Sequence, residues 1–221
     1  MSRPFSFAEK EYYHCFSRGT EKRKIFLSNK DYERFIALLF ICNNKEKVHL
    51  SNYSSKNRQN IFNIKRDETL VDIGVYCLMS NHFHLLLHEK EEGGISTFMQ
   101  KLMTAYTMYF NTKYKRSGAL FSGRFKAEHA DTDNYLKYLF SYIHLNPVKL
   151  IQRDWKDNGI KNITKAKKFS EEYVFSSYLD YLEEDRPQKV ILNKSAFPKY
   201  FEDRKSIEGE IFDWLTVKVQ P

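Results

Sequence analysis

Two short segments of this 221-residue chain carry side chains whose types and spacing suit chemistry. The first is His82-Phe83-His84-Leu85-Leu86-Leu87-His88. On a strand, alternation puts His82, His84, Leu86 and His88 on one face and Phe83, Leu85 and Leu87 on the other. Imidazoles two residues apart on a strand lie about 7 Å apart at the backbone, and their tips can converge on one cation. A pair of polar residues on an exposed strand face has the same pattern. The second segment is Tyr142-Ile143-His144-Leu145-Asn146-Pro147. Tyr142 and Asn146 stand at i and i+4, so a helix projects both from one face of its last turn. A phenol beside a metal can act as a nucleophile as its proton is lost, and an amide oxygen could add a hard ligand. The plainer alternative is a core tyrosine and a helix-ending Asn before Pro, and it applies to any one of the 15 tyrosines. His144 falls roughly 160° around a helix from Asn146, away from such a ligand set. His14, His88 and His129 are left without a role.

The elements that must position these residues follow from periodicity and punctuation. A strand is expected at about 11–18, and a helix at about 31–44 is announced by Ser28-Asn29 with Asp31 and Glu33 in its first turn. Val71–Met79 and His82–His88 read as two strands joined by a Ser80-Asn81 turn. After Gly93-Gly94, Ile95, Phe98, Met99, Leu102, Tyr106, Tyr109 and Phe110 form one stripe at helical spacing, ended by Ser117-Gly118. An extended piece at Leu120–Ala127 leads to a helix at about 132–145, stopped by Pro147. This order predicts an α+β fold: an antiparallel sheet with helices packed on one face, a ferredoxin-like or RRM-like sandwich, plus a C-terminal helical extension. Ser51–Asn63, rich in Asn and Ser, reads as a loop.

Composition bounds the class of protein. A hydrophobic fraction of 42% with 29% charged residues excludes wholesale disorder and collagen-like repeats. Cys15, Cys42 and Cys77 are too few and too widely spaced for a disulfide framework or a Cys-x-x-Cys metal site. The N-terminus lacks a signal-peptide core, and the longest apolar run, Phe35–Cys42, falls far short of the ~20 residues that span a bilayer. A soluble cytoplasmic protein with no membrane partner is expected. The net charge is +8 and aromatics reach 16%; cations for phosphates and rings for bases fit a nucleic-acid partner, and equally an ordinary basic enzyme. The last 53 residues hold 7 basic and 11 acidic side chains, opposite in sign to the rest. A boundary is therefore expected near 168, dividing a domain at 1–168 from an acidic extension at 169–221.

Several segments in order resemble the REP-associated tyrosine transposases and related single-tyrosine insertion-sequence transposases. They are Tyr13-His14-Cys15-Phe16-Ser17-Arg18-Gly19, Ile25-Phe26 with the helix from Asp31, Tyr76 to Leu86 with its His-hydrophobic-His centre, Gly123-Arg124-Phe125-Lys126-Ala127, Tyr142 to Val148, and Phe175-Ser176-Ser177-Tyr178. Ser80 stands where many members have Pro, and wider relatives use Gln at the position of Asn146. The resemblance implies a DNA transposase that cleaves and rejoins single-stranded DNA near palindromic hairpins. It implies a divalent ion, Mg²⁺ or Mn²⁺, on His82, His84 and Asn146, with Tyr142 forming a 5′-phosphotyrosine intermediate. Ligand preference alone favours Mn²⁺ or a transition ion on two imidazoles. Arg18, Arg124 and Lys126, within these segments, are expected to bind DNA, as are Lys115 and Arg116 after the long helix; the Lys161–Lys168 run is a weaker candidate. Relatives include monomers and homodimers, so the resemblance leaves oligomeric state open. The alternatives are a non-catalytic single-stranded nucleic-acid-binding module derived from a transposase, and a metal-dependent nuclease that uses water and leaves no covalent adduct.

Overall fold

The computed structural model describes residues 6–46, 61–66 and 68–200, together with 206, 207, 209 and 211. Four strands form one sheet: β1 (Tyr12–Arg18), β2 (Val71–Met79), β3 (His82–Glu89) and β4 (Lys126–His129). Their order is β2-β3-β1-β4, and every neighbouring pair is antiparallel. With helices α1 (Asn29–Ile41) and α2 (Gly94–Lys113) between β1 and β2 and between β3 and β4, this is the split β-α-β arrangement of ferredoxin-like domains. Most of the expected Ser51–Asn63 loop lies outside the described residues.

Helix α1 starts two residues earlier than its acidic residues suggest because Ser28 caps it. Asp31 accepts hydrogen bonds from the backbone N–H of Leu27 at 2.8 Å and of Ser28 at 2.9 Å, closing a capping box. Burial opposes the charge on Asp31, but bonds from Lys113, Tyr114, the Leu27 N–H and Tyr109 outweigh it and hold the carboxyl at about 2. The helix also ends early. Asn43 instead exchanges two 3.0 Å bonds with the Val71 backbone, acting as a side-chain strand partner.

The sheet separates two apolar clusters. Beneath one face, α1 and α2 pack Phe35, Leu39, Phe98, Leu102 and Tyr106 against Tyr13, Cys15, Tyr76, Phe83 and Leu85. The expectation of helices on one face describes these two. A third helix, α3 (Asp133–His144), lies on the opposite face over β2 and β3, where Leu136, Leu139, Phe140 and Ile143 meet Val75, Cys77 and Leu86. Gly74 marks a bulge in β2 between Ile73 and Val75. A Cβ there would sit 2.7 Å from the Phe197 ring, so glycine lets that ring lie flat on the strand.

The extended piece expected at Leu120–Ala127 is broken. Leu120 and Phe121 are buried under the sheet, the chain turns through Gly123 at a φ of 75°, and pairing with β1 begins only at Lys126. A left-handed glycine cannot continue a strand. The change of charge near 168 does not coincide with a break in packing. The Phe175 carbonyl accepts from the Leu78 N–H, and the Ser177 and Asn193 N–H groups donate to Tyr76 and Ile73. These bonds cover the outer edge of β2. Among the described residues no helix is long and apolar enough to cross a membrane.

Candidate active site

On the face that carries α3, the helix covers β2 and β3, and polar side chains gather at its margin. Alternation does what the sequence predicted: His82 and His84 leave β3 on this face, while Phe83, Leu85 and Leu87 enter the opposite cluster. Strand β1 adds His14, Phe16 and Arg18 from the same face, and β4 adds Lys126 and Glu128. Tyr142 overhangs them from the last turn of α3, its ring 5.8 Å from that of His84 and 6.0 Å from that of His14. Thr132 caps the start of α3 by accepting from the Tyr135 N–H. Tyr138 stacks on Tyr142 at 5.7 Å, fixing the tyrosine from the side away from the sheet.

Both histidines of the pair are held neutral. Burial, reinforced by Lys149, pushes His82 down to about 4. Burial also drives His84 well below its ordinary range, with His14, His82, Lys149 and Lys156 adding to the effect. Both imidazoles therefore keep a lone pair at neutral pH. Their rings lie 5.0 Å apart and nearly perpendicular. Asn146 is fully buried just beyond α3, where its amide donates to the Tyr142 carbonyl at 2.9 Å. Its Oδ1 has no hydrogen-bond partner among the described residues. A buried acceptor without a donor is costly in an apo site, and a cation would satisfy it. Among the described residues no three His, Cys, Asp or Glu side chains are grouped so that they could hold a metal.

Cations surround this point. A cavity of about 380 Å³ is lined by His82, His84 and Tyr142 together with Arg18, Lys22, Arg124, Lys126 and Lys149. Three of the expected DNA-binding residues, Arg18, Arg124 and Lys126, are thus brought together. Lys115 and Arg116 are not: they follow α2 on the other side of the sheet, where Arg116 lies against Phe110. Their apparent nearness was one of composition, not of place. None of the Lys161–Lys168 run lines that cavity: Lys161 pairs with Asp154 and Lys168 reaches Glu172 along α4 (Ile163–Glu172). His144 is turned away into the core and bonds Ser177 at 2.9 Å, as its angle around the helix implied.

Three site residues escaped the sequence reading. Lys149 and Lys156 place their ammonium groups 5.7 and 5.0 Å from the Tyr142 ring. Burial, then Lys156, lowers Lys149 below its ordinary value. Lys156 is held there because Trp155, its neighbour, is buried against the same ring at 6.3 Å. The third is His14, whose Nε2 lies 2.8 Å from His84 Nδ1. Only the β1–β3 register reveals it: Phe16 is the direct partner of His84, which leaves His14 as the diagonal neighbour. A second cavity of about 810 Å³ continues from this site along Tyr135, Tyr138 and Tyr142.

The site thus joins paired histidines on a central strand of a ferredoxin-like sheet to a tyrosine that faces them from the following helix. The family described as "Transposase IS200 like" matches residues 9–146, and the chain belongs to that family. The match includes all four strands, α1 to α3 and Asn146. A solved structure, described as the REP-associated tyrosine transposase bound to a REP hairpin, is similar at 10% identity with a TM-score of 0.49, covering 92% of both chains. No curated protein matched the chain.

Proposed function

We propose that this protein cleaves and rejoins single-stranded DNA at sites beside hairpins, through a covalent link to Tyr142. The observation that carries this reading is the convergence of Tyr142, His82 and His84 on one cavity rimmed by Arg18, Arg124, Lys126 and Lys149. His82, His84 and Asn146 would hold a divalent ion, Mg²⁺ or Mn²⁺, which when bound polarises the scissile phosphate and offsets charge in the transition state. The basic side chains would hold the strand by its phosphates.

The tyrosine oxygen attacks phosphorus, a new P–O bond to Tyr142 forms, and the bond to the 3′ oxygen breaks. The phenol gives up its proton and the leaving oxygen gains one, yielding a 5′-phosphotyrosine and a free 3′-hydroxyl. Burial raises the Tyr142 phenol above its usual value, with the Asn146 side chain pulling the other way. The phenol thus stays protonated at neutral pH. Lys149 and Lys156, 5.7 and 5.0 Å from the Tyr142 ring, would favour a phenolate over the phenol. A 3′-hydroxyl attacking the phosphotyrosine reverses the step, so rejoining needs no external energy source.

The test is incubation with a labelled single-stranded oligonucleotide bearing a hairpin, plus Mn²⁺, followed by denaturing electrophoresis. A slow-migrating covalent species is expected from the wild type and none from Tyr142→Phe. Cleavage without an adduct would instead mark a water-using nuclease, and binding without cleavage a DNA-binding module.

A further inference from the structure

We propose that Phe16 is a stacking platform for an unpaired base beside the scissile phosphate, taken into the cavity between Phe16 and the tyrosines of α3, where Glu128 accepts from the amino group of that base. This rests on the proposed function, in which the neighbouring basic cavity holds the strand by its phosphates. Phe16 is half-buried on the site face of β1, yet it belongs to neither apolar cluster. Its ring neighbours among the described residues are His14 at 4.9 Å and His84 at 5.7 Å. It lines both cavities of the site. A flat apolar ring that packs in no core and borders a cavity is a surface on which a base can stack.

The two cavities share Phe16, His84 and Tyr142 as walls and differ in charge. The smaller is lined by Arg18, Lys22, Arg124, Lys126 and Lys149, and by no carboxylate among the described residues. The larger, about 810 Å³, is lined by Glu128 and Asp131, with Lys156 as its one lysine or arginine among the described residues. Carboxylates repel phosphate, so the larger cavity suits the uncharged part of a nucleotide whose phosphate lies in the smaller one. Its volume is in the ordinary range of small-ligand pockets. Along its α3 wall, Tyr135, Tyr138 and Tyr142 form a row, with successive rings 6.1 and 5.7 Å apart and each pair 16° from parallel.

Stacking accepts any base, because each has a π-face. Glu128 supplies a choice. Its side chain is 53% exposed, so the carboxylate is open to a ligand. The Tyr135 hydroxyl donates to Oε2 at 3.2 Å, which ties it to the tyrosine row. A carboxylate only accepts hydrogen bonds. Adenine, cytosine and guanine each offer an amino group, and in an unpaired base the pairing edge is free to use it. Thymine offers carbonyl oxygens, which a carboxylate repels. An amino-bearing base is therefore favoured over thymine at this position.

The test reads binding by the full-length protein, with a pool of single-stranded oligonucleotides that each carry one hairpin and a randomised single-stranded flank. Phe16→Leu, which stays apolar but loses the ring, should weaken pool binding roughly 5–150-fold by fluorescence anisotropy. Phe16→Tyr should recover most of that loss. The slope of log affinity against log salt should keep its wild-type value in Phe16→Leu, because no phosphate contact is removed. Sequencing the fraction bound by the wild type should show one flank position enriched in amino-bearing bases over thymine. Glu128→Gln, whose amide can donate as well as accept, should flatten the preference at that position alone. Wild-type affinity in Phe16→Leu, a loss that Phe16→Tyr does not recover or that comes with a smaller salt slope, or an unchanged base preference in Glu128→Gln would each overturn the assignment. A wild type that shows this preference but forms no adduct through Tyr142 would instead remove the strand-transfer reading and leave the base site standing. Adduct formation by the wild type, with unchanged binding in Phe16→Leu, would do the opposite.

Discussion

The two faces of the sheet are built on opposite principles. Toward α1 and α2, ring meets ring: Phe83 touches Phe35 at 4.9 Å and Phe121 at 5.8 Å, and the buried Tyr106 hydroxyl is satisfied by the Ile25 carbonyl. Toward α3, apolar packing stops part-way across the sheet, and His14, His84 and Asn146 are buried beside a cavity ringed by cations. The second face keeps buried polar groups, among them the Asn146 oxygen, that no hydrogen bond among the described residues satisfies. Stability and chemistry are therefore separated by the thickness of one strand, with Phe83 and His84 as adjacent residues serving opposite sides.

Substitutions on the two faces should separate these roles. The largest effect is expected from Tyr142→Phe, which should abolish the covalent adduct while changing unfolding free energy by less than about 1 kcal/mol, measured by urea denaturation. Phe83→Ala should do the reverse, costing about 3–5 kcal/mol of stability while the folded fraction still forms adduct. If Tyr142→Phe destabilised as much as Phe83→Ala, the division between the faces would be wrong.

A subtler effect involves pH. Burial lowers His144, the last residue of α3, to about 3. Between about pH 6.5 and that value the unfolded chain takes up a proton there that the folded chain refuses, so stability falls as pH drops through this window. His144→Gln should flatten the acid limb of a stability–pH curve by up to ~1.4 kcal/mol per pH unit. The smallest effect concerns DNA affinity. Arg124→Ala should reduce the slope of log affinity against log salt by roughly 1, whereas Lys115→Ala, beyond the other face, should leave it unchanged. Equal slopes for the two variants would mean that DNA does not follow the cavity rim.

Much of this was legible along the chain. Period-two alternation in 82–88 is a local property, and it correctly put His82 and His84 together. Helical spacing likewise brought Tyr142 and Asn146 to one end of α3. The strand over 120–127 was misjudged because its residues suit a strand, while a single left-handed glycine interrupts it. Lys115 and Arg116 looked like site residues because proximity in sequence to basic neighbours says nothing about which layer a helix end belongs to. Lys149 lies one residue beyond the Tyr142–Val148 segment, close enough to have been found, but its approach to the tyrosine depends on the 3₁₀ turn over Asn146–Leu150.

The sequence by itself determined the α+β order, the paired histidines, the tyrosine and the resemblance to a transposase family, because each is written in short periods or ordered segments. Tertiary structure alone decided the β1–β3 register, the face on which α3 lands and the arrival of Glu128 from β4. Those are long-range choices, made by how the two faces pack together. They bring His14 within 2.8 Å of His84 and set His82 and His84 beside one cavity with Tyr142.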